Sequence, residues 1–226
     1  MIKMQYVRLI LASQRLKEHL FGEKLSRQSI KNSSDDKLPT RGFKVLHLFE
    51  ETTLAALHYQ KLVFDRDMQL LFLPLVGKVH LETKWNQYTV DVGESLLISL
   101  DKKEACFVRN EYSSSDIHYL VMGFNSAEKV KGITRFSTIK NQLMTLFEPS
   151  SDKGLSRAMI GRWKGRDKDI YVASTENTFV WVVQGSFEME DRLLQKADGI
   201  AFSGFEKVNF EALANDAMAI FLDLAA

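Results

Sequence analysis

Phe72-Leu-Pro-Leu-Val-Gly77-Lys-Val-His-Leu-Glu82 and Val180-Trp-Val-Val-Gln-Gly185-Ser-Phe-Glu-Met-Glu190 can be laid over one another with their glycines in register. Apolar residues fall at matching places on both sides of the glycine, and each copy closes on glutamate. Farther along, Val92-Gly-Glu94-Ser-Leu-Leu-Ile-Ser99 lies over Lys196-Ala-Asp198-Gly-Ile-Ala-Phe-Ser203. Each copy therefore reads strand, glycine turn, strand, acidic turn, strand. A tight hairpin needs positive φ, which a side chain penalises, and this explains the glycine at the first turn. Two copies separated by roughly a hundred residues describe two similar small domains rather than a solenoid.

The surrounding sequence agrees with a β fold. Period-2 alternation runs through Phe43–Phe49, Gly77–Glu82, Gln87–Val92 and Val208–Leu213, while Met68–Val76, Leu96–Leu100, Asp116–Phe124, Thr178–Val183 and Ala217–Leu224 are nearly continuous apolar runs. Such runs suit strands buried on both faces. Gly77, Trp85-Asn86, Gly93, Asn110, Gly185, Asp191, Gly199 and Asn215-Asp216 mark closely spaced turns, as in an all-β sandwich or barrel. Ser13–Leu20 and Thr138–Phe147 also fit short helices. Asn32–Lys37 reads as a polar surface loop, and Pro149–Gly154 interrupts regular structure near the domain seam. The expected division is 1–138 and 139–226, two tandem barrels in an all-β chain.

Composition narrows the function classes. The 226 residues are 45% hydrophobic and 26% charged, with 30 Lys plus Arg against 29 Asp plus Glu and a net charge of +1. No global field draws the chain to nucleic acid or to an anionic membrane. A single cysteine, Cys106, excludes an internal disulfide framework and a cysteine-rich zinc site. The apolar run Val7–Ala12 is interrupted by Arg8 and is too short for a signal-peptide core or a membrane span. The expected setting is cytoplasmic.

The repeat unit resembles a cupin half-barrel, and nearly the whole chain resembles the pirin family of two-cupin proteins. In the N-terminal half the resemblance is carried by Leu11–Arg15, by Leu48-Phe-Glu-Glu-Thr-Thr-Leu-Ala55, and by Arg66-Asp-Met68 leading into Leu73–Gly77. In the C-terminal half it is carried by Phe179–Gly185, Leu193–Gly199 and Ile220-Phe-Leu-Asp-Leu224. The resemblance implies a bicupin of two jelly-roll barrels with an iron-type metal site in the first. It further implies either quercetin 2,3-dioxygenase activity, known in some relatives, or a regulatory binding role, known in others.

The family's ligands do not carry over. Its His-x-His pair falls on Val63 and Asp65, its accompanying glutamate on Gln69, and its His-x-Glu pair on Arg109 and Glu111. Only Glu111 keeps a ligand; valine has no donor, and arginine does not shed its proton to become one. The expectation is therefore no cofactor, with a single divalent transition metal such as iron as the alternative. If all five positions face one barrel interior, the Arg109 guanidinium can fill the vacated space and pair with Asp65, Glu111 or both. Removing it would then cost roughly 3–5 kcal/mol. If they lie at the barrel mouth, the pair is a surface one worth ~0–1 kcal/mol.

Other constellations are bland. His47, His58, His80 and His118 fall on expected strands without ligand spacing, and His19 precedes a loop. Cys106 sits between Ala105 and Phe107 and reads as a buried, inert thiol. Arg162-Trp163-Lys164-Gly165-Arg166-Asp167-Lys168-Asp169 reads as a turn opening the second barrel rather than a nucleic-acid groove. Two functions stay open: a binding module for a small molecule or a protein, and a metal-dependent dioxygenase. Neither nucleic acid nor membrane is an expected partner, and the chain is expected to be a monomer or a homodimer.

Overall fold

A computed structural model describes residues 5–20, 24–31, 43–126, 129–147 and 155–225. The expected loop Asn32–Lys37 and seam Pro149–Gly154 lie outside the described residues. The chain forms two compact units, Arg15–Arg135 and Met1–Gln14 together with Phe136–Ala226. The division thus falls before Phe136. The first strand, Tyr6–Ile10, belongs with the C-terminal unit because it pairs with Gly199–Ser203. Asp198 secures that strand's continuation by accepting the Ala12 N–H at 2.7 Å.

In Arg15–Arg135, seven strands form one sheet in the order Lys131–Arg135, Glu94–Leu100, Met68–Val76, Ile117–Asn125, Leu46–Leu54, Lys24–Lys31, Leu16–Leu20. A second sheet runs Tyr59–Val63, Ala105–Arg109, Val79–Glu82, Gln87–Val90. Apolar side chains from both sheets meet between them, among them Leu62, Leu70, Phe72, Leu81, Ile98 and Val108. The other unit repeats the plan. Its larger sheet runs Tyr6–Ile10, Gly199–Ser203, Asn177–Gln184, Ala217–Leu224, Leu155–Trp163, Gln142–Phe147, and its smaller one Lys168–Val172, Lys207–Ala212, Ser186–Met189, Arg192–Gln195. Every pairing between these strands is antiparallel.

The duplication extends to single hydrogen bonds. Gly77 and Gly185 have φ of 73° and 74°. A Cβ on Gly77 would stand 2.8 Å from Ile117, and one on Gly185 would stand 3.0 Å from Ala217, in each case the first residue of a strand that pairs with the one leading into the glycine. At the acidic turn, Glu94 Oε2 accepts the Asp91 N–H at 3.0 Å, and Asp198 Oδ2 accepts the Gln195 N–H at 2.8 Å. The residue before each acid, Gly93 and Ala197, is left-handed. Each hairpin strand also carries a bulge two residues before its glycine, at Leu75 and at Val183.

Neither expected helix forms. Ala12–Gln14 is a single 3-10 turn followed by the strand Leu16–Leu20, and Gln142–Phe147 is a strand paired with Leu155–Trp163. In both places a neighbouring strand supplies the backbone partners, which outweighs a weak local helical pattern. His58 likewise precedes its strand in a turn, with Nδ1 2.7 Å from the Ala56 carbonyl oxygen. Among the described residues no helix is long and apolar enough to cross a membrane.

Candidate functional site

Four of the five expected site residues, Val63, Asp65, Arg109 and Glu111, lie on or just beyond two strands of the N-terminal barrel. Tyr59–Val63 and Ala105–Arg109 pair antiparallel, with Leu62 opposite Cys106 and Gln60 opposite Val108. Side chains alternate across a strand, so these four point into the barrel and are buried, while Tyr59, Lys61, Val63, Phe107 and Arg109 point outward.

The five expected site residues do not converge inside the barrel. Val63 is 48% exposed and opposite Ala105, whereas Arg109 is opposite Tyr59 at the other end of the pairing. Asp65 lies in the bend beyond the strand, its side chain 81% exposed and 3.1 Å from Arg66. Glu111 is exposed, with an oxygen 3.5 Å from His80 Nε2. Arg109 pairs with Glu82 rather than with either acid: Nε and Nη2 donate to Glu82 Oε2 at 3.0 and 2.9 Å. Gln69 is buried, but on the sheet face opposite Met68, Leu70 and Phe72, which line the core.

The physical reason is lost register. Met68, Leu70 and Phe72 line the core, so alternation along the strand puts Gln69 on the other face, and the bulge at Leu75 exchanges the faces only beyond them. The bend at Phe64–Asp67 then prevents parity from being carried from Gln69 back to Val63. That bend is fixed by the Lys103 N–H on the Phe64 carbonyl and the Lys102 N–H on Asp67, each at 2.8 Å.

What the barrel does hold is a polar network that the site reading missed. Glu50 Oε1 accepts from Thr52 Oγ1 at 2.8 Å and from Gln60 Nε2 at 2.7 Å, and the Tyr119 hydroxyl donates to Gln60 Oε1. All four residues are buried. Burial and the Glu50 carboxylate hold the Tyr119 hydroxyl well above its ordinary range. The signal was Glu50-Glu51-Thr52-Thr53 inside an apolar strand: with period-2 alternation, one acid must face the core in either register.

Glu51 occupies the opposite face. Its Oε2 accepts from Arg15 Nη1 at 2.6 Å, and His118 Nε2 lies 3.0 Å from Oε1. Burial alone would raise its pKa, but the His118 hydrogen bond and the Arg15 charge overcome it and bring the carboxyl down to about 2.

The second barrel is filled by aromatics. Trp163 makes edge contacts with Phe187 and Phe210 at centroid distances of 5.7 and 4.9 Å, and its Nε1 donates to Asp169 at 3.1 Å. The expected turn is therefore present, with its tryptophan turned into the core.

A transition metal would need several imidazole, thiolate or carboxylate donors on one inner face. The paired strands offer Leu62, Val108, an amide already bonded at both ends, and the Cys106 thiol, whose pKa burial pushes up to about 12. These residues do not fit the metal that the resemblance implies. Among the described residues no three His, Cys, Asp or Glu side chains gather as a ligand group.

Residues 160–224 match the quercetinase C-terminal cupin domain. The fold is similar to that of YhhW from Escherichia coli, at 15% identity over 98% of this chain and 99% of that one, with a TM-score of 0.83. The chain has a bicupin fold. A second structure, of bacterial pirin YhhW in complex with nickel(II), superposes with a TM-score of 0.82 at 15% identity over 98% of this chain and all (100%) of that one. Quercetin 2,3-dioxygenase from Acinetobacter baumannii gives 0.74 at 8% identity over 98% and 87% of the two chains. No curated relative matches the sequence.

Proposed function

We propose that this pirin-like bicupin is a non-catalytic binding module whose N-terminal barrel has lost the family's metal. The inward faces of Tyr59–Val63 and Ala105–Arg109 support this reading, since Gln60, Leu62, Cys106 and Val108 stand where a ligand set would have to project. Oxygen activation of the quercetinase kind needs a metal with open coordination positions, and fold alone does not confer that chemistry. The barrel interiors are occupied by side chains, which favours a protein partner on the outer surface over a small molecule inside. The buried Cys106 thiol suits a cytoplasmic setting.

The competing reading, a dioxygenase, is favoured by the match of residues 160–224 to a quercetinase domain. Elemental analysis of protein purified without chelators, followed by an aerobic quercetin assay with added iron, nickel, manganese or copper, separates the two. A binding module shows substoichiometric metal and no turnover. Near-stoichiometric metal with turnover that Glu111→Gln leaves intact and Glu50→Gln abolishes would overturn the proposal and locate the site in the barrel interior.

A further inference from the structure

The two barrels share a backbone plan, so their differences mark what the first one has added. Between Val79–Glu82 and Gln87–Val90 the chain makes a four-residue turn, Thr83-Lys84-Trp85-Asn86. The matching strands of the second barrel, Ser186–Met189 and Arg192–Gln195, are joined by Glu190 and Asp191 alone. Thr83 fixes the longer turn: its N–H reaches the Asn86 carbonyl at 2.9 Å, and its hydroxyl accepts the Asn86 N–H at 3.1 Å. Trp85 is thereby held 74% exposed, whereas Trp163 and Trp181 are buried. A second difference follows Glu94–Leu100. There Lys103 is left-handed, with φ of 64°, and donates its N–H to the Phe64 carbonyl at 2.8 Å. After Gly199–Ser203 the left-handed residue is Gly204, with φ of 79°, which donates to the Glu176 carbonyl at 2.8 Å. The first barrel thus carries a lysine where this turn favours glycine, a conformation that penalises the side chain and points to a use for it.

Both turns border one cleft of about 570 Å³, lined by Lys84, Trp85, Lys102 and Lys103 with Ala105 and Phe107. That volume suits a small ligand. Three acids line the cleft too, and each is engaged. Glu82 accepts from Arg109 at 3.0 and 2.9 Å, Asp101 pairs with Lys129, and Glu104 accepts the Asp101 N–H at 3.0 Å. Next to them, Asp65 pairs with Arg66 at 3.1 Å, and Asp67 accepts the Lys102 N–H at 2.8 Å. Lys61 stands over Phe107, and Lys131 Nζ lies 3.5 Å from Asn86. Among the described residues, eight cations thus stand against five acids at this end of the barrel. Lys84, Lys102 and Lys103 form no ion pair with another described residue. Lys84 instead holds Nζ 4.4 Å from the Trp85 ring centroid, over one face of the indole.

We propose that this cleft binds a nucleoside phosphate, with the base against Trp85 and the phosphates on Lys84, Lys102 and Lys103. An exposed indole is a stacking surface for a base, and ammonium groups hold phosphate oxygens as point charges. The neighbouring carboxylates are spent on Arg66, Arg109, Lys129 and backbone N–H groups, so the unpaired charge at the cleft is positive. An inorganic anion would leave the indole unused, and a neutral ring would leave the lysines unused. The cleft lies outside the barrel interior, so the inference stands whether or not a metal is held and whatever protein docks elsewhere. Its lysines are exposed to solvent, so binding is weak and falls with added salt.

Calorimetric titration of the full chain with ADP, and separately with adenosine and pyrophosphate, tests it. ADP should bind with a Kd below ~1 mM at roughly 50 mM salt, and more weakly at roughly 500 mM. It should bind at least ~10-fold more tightly than adenosine or pyrophosphate, each of which supplies only one half of the contact. ADP should also quench tryptophan emission, because Trp85 is exposed and the other two indoles are buried. Trp85→Ala should weaken binding ~5-fold or more, and Lys102→Gln/Lys103→Gln ~10-fold or more. Lys103→Gly, the residue the second barrel uses, should raise the denaturant midpoint and still weaken ADP binding. A parent chain that binds no ADP overturns the proposal, and this result needs no variant to fold. ADP held no more tightly than its halves, or held equally well by the Trp85 and double-lysine variants, overturns it as well.

Discussion

The two barrels fill the same interior space by opposite choices. In the N-terminal barrel Tyr119 stands opposite Thr52; in the C-terminal barrel the corresponding pair is Ala219 and Gly161. The missing volume is supplied by Trp163, whose ring lies so close over Gly161 that a Cβ there would be 2.2 Å from it. The large aromatic has moved from one strand to its neighbour, and its polar atom has kept a partner from the same strand of the small sheet. Tyr119 donates to Gln60, which lies opposite Val108; Trp163 donates to Asp169, which lies opposite Phe210. A duplicated backbone thus fixes where a hydrogen-bonded aromatic is needed, not which strand provides it. It also leaves the polar clusters free to diverge. The first barrel buries Glu50 with Gln60 and Thr52, and the second buries Asp223.

The sharpest way to break the comparison is at Asp223. Its side chain is fully buried, and Oδ2 accepts from Arg157 Nη2 at 2.8 Å and from the Ser174 N–H and hydroxyl at 2.8 and 2.6 Å. Oδ1 accepts from Thr178 at 2.9 Å. The corresponding position of the first barrel is Gly123, packed against Met68, Leu48 and Leu70. Asp223→Ala strands the Arg157 cation and three hydroxyl or amide donors, and should destabilise the C-terminal unit by about 3–5 kcal/mol. Denaturant unfolding followed by the buried Trp163 and Trp181 reports it. A midpoint equal to that of the parent would mean that Arg157 is satisfied by Tyr171 and the Val172 carbonyl alone.

The N-terminal unit carries the acid-sensitive counterpart. Glu51 has a folded-state pKa of about 2 against the usual 4.5. A carboxylate held below its unfolded value contributes stability that is complete above pH ~4.5 and is lost as pH falls toward ~2. After allowance for partial access to solvent the contribution is about 2 kcal/mol. Glu51→Gln should lower the unfolding midpoint at pH 6, and the gap to the parent should close as pH falls through this window. A gap that stays constant from pH 6 to 2.5 would show that the Arg15 and His118 contacts add nothing to stability.

Much of the fold was legible because its markers are local. Gly77, Gly185 and the acids Glu94 and Asp198 each solve a turn within a few residues, so two matched turns implied the repeat. The pairing of Tyr6–Ile10 with Gly199–Ser203 was not legible, because no local pattern encodes a partner so distant in sequence. Nor was the exchange of faces beyond Phe72: the bulge at Leu75 leaves no mark that alternation alone can read. For the site, it is plain from the residues that Val63, Asp65 and Arg109 are not imidazoles, but the direction of their side chains is not. The Glu50 network has a sequence mark, adjacent acids in an apolar strand, but it is a mark of buried charge rather than of ligand spacing.

The smallest effect falls at the position where the sequence allowed the largest. An Arg109 guanidinium locked between carboxylates inside the barrel would cost roughly 3–5 kcal/mol to remove. It lies on the outer face instead, its side chain 43% exposed and that of Glu82 41% exposed. Water can solvate Glu82 once the arginine is gone, so no buried charge is left uncompensated. The remaining losses are an exposed ion pair and ring contacts with Tyr59 and Phe107 at 5.7 Å, which are themselves open to solvent. Arg109→Ala should therefore shift stability by only ~0–1 kcal/mol, and added salt should shrink the difference further. A loss of roughly 3 kcal/mol or more in denaturant unfolding would return Arg109 to the barrel interior.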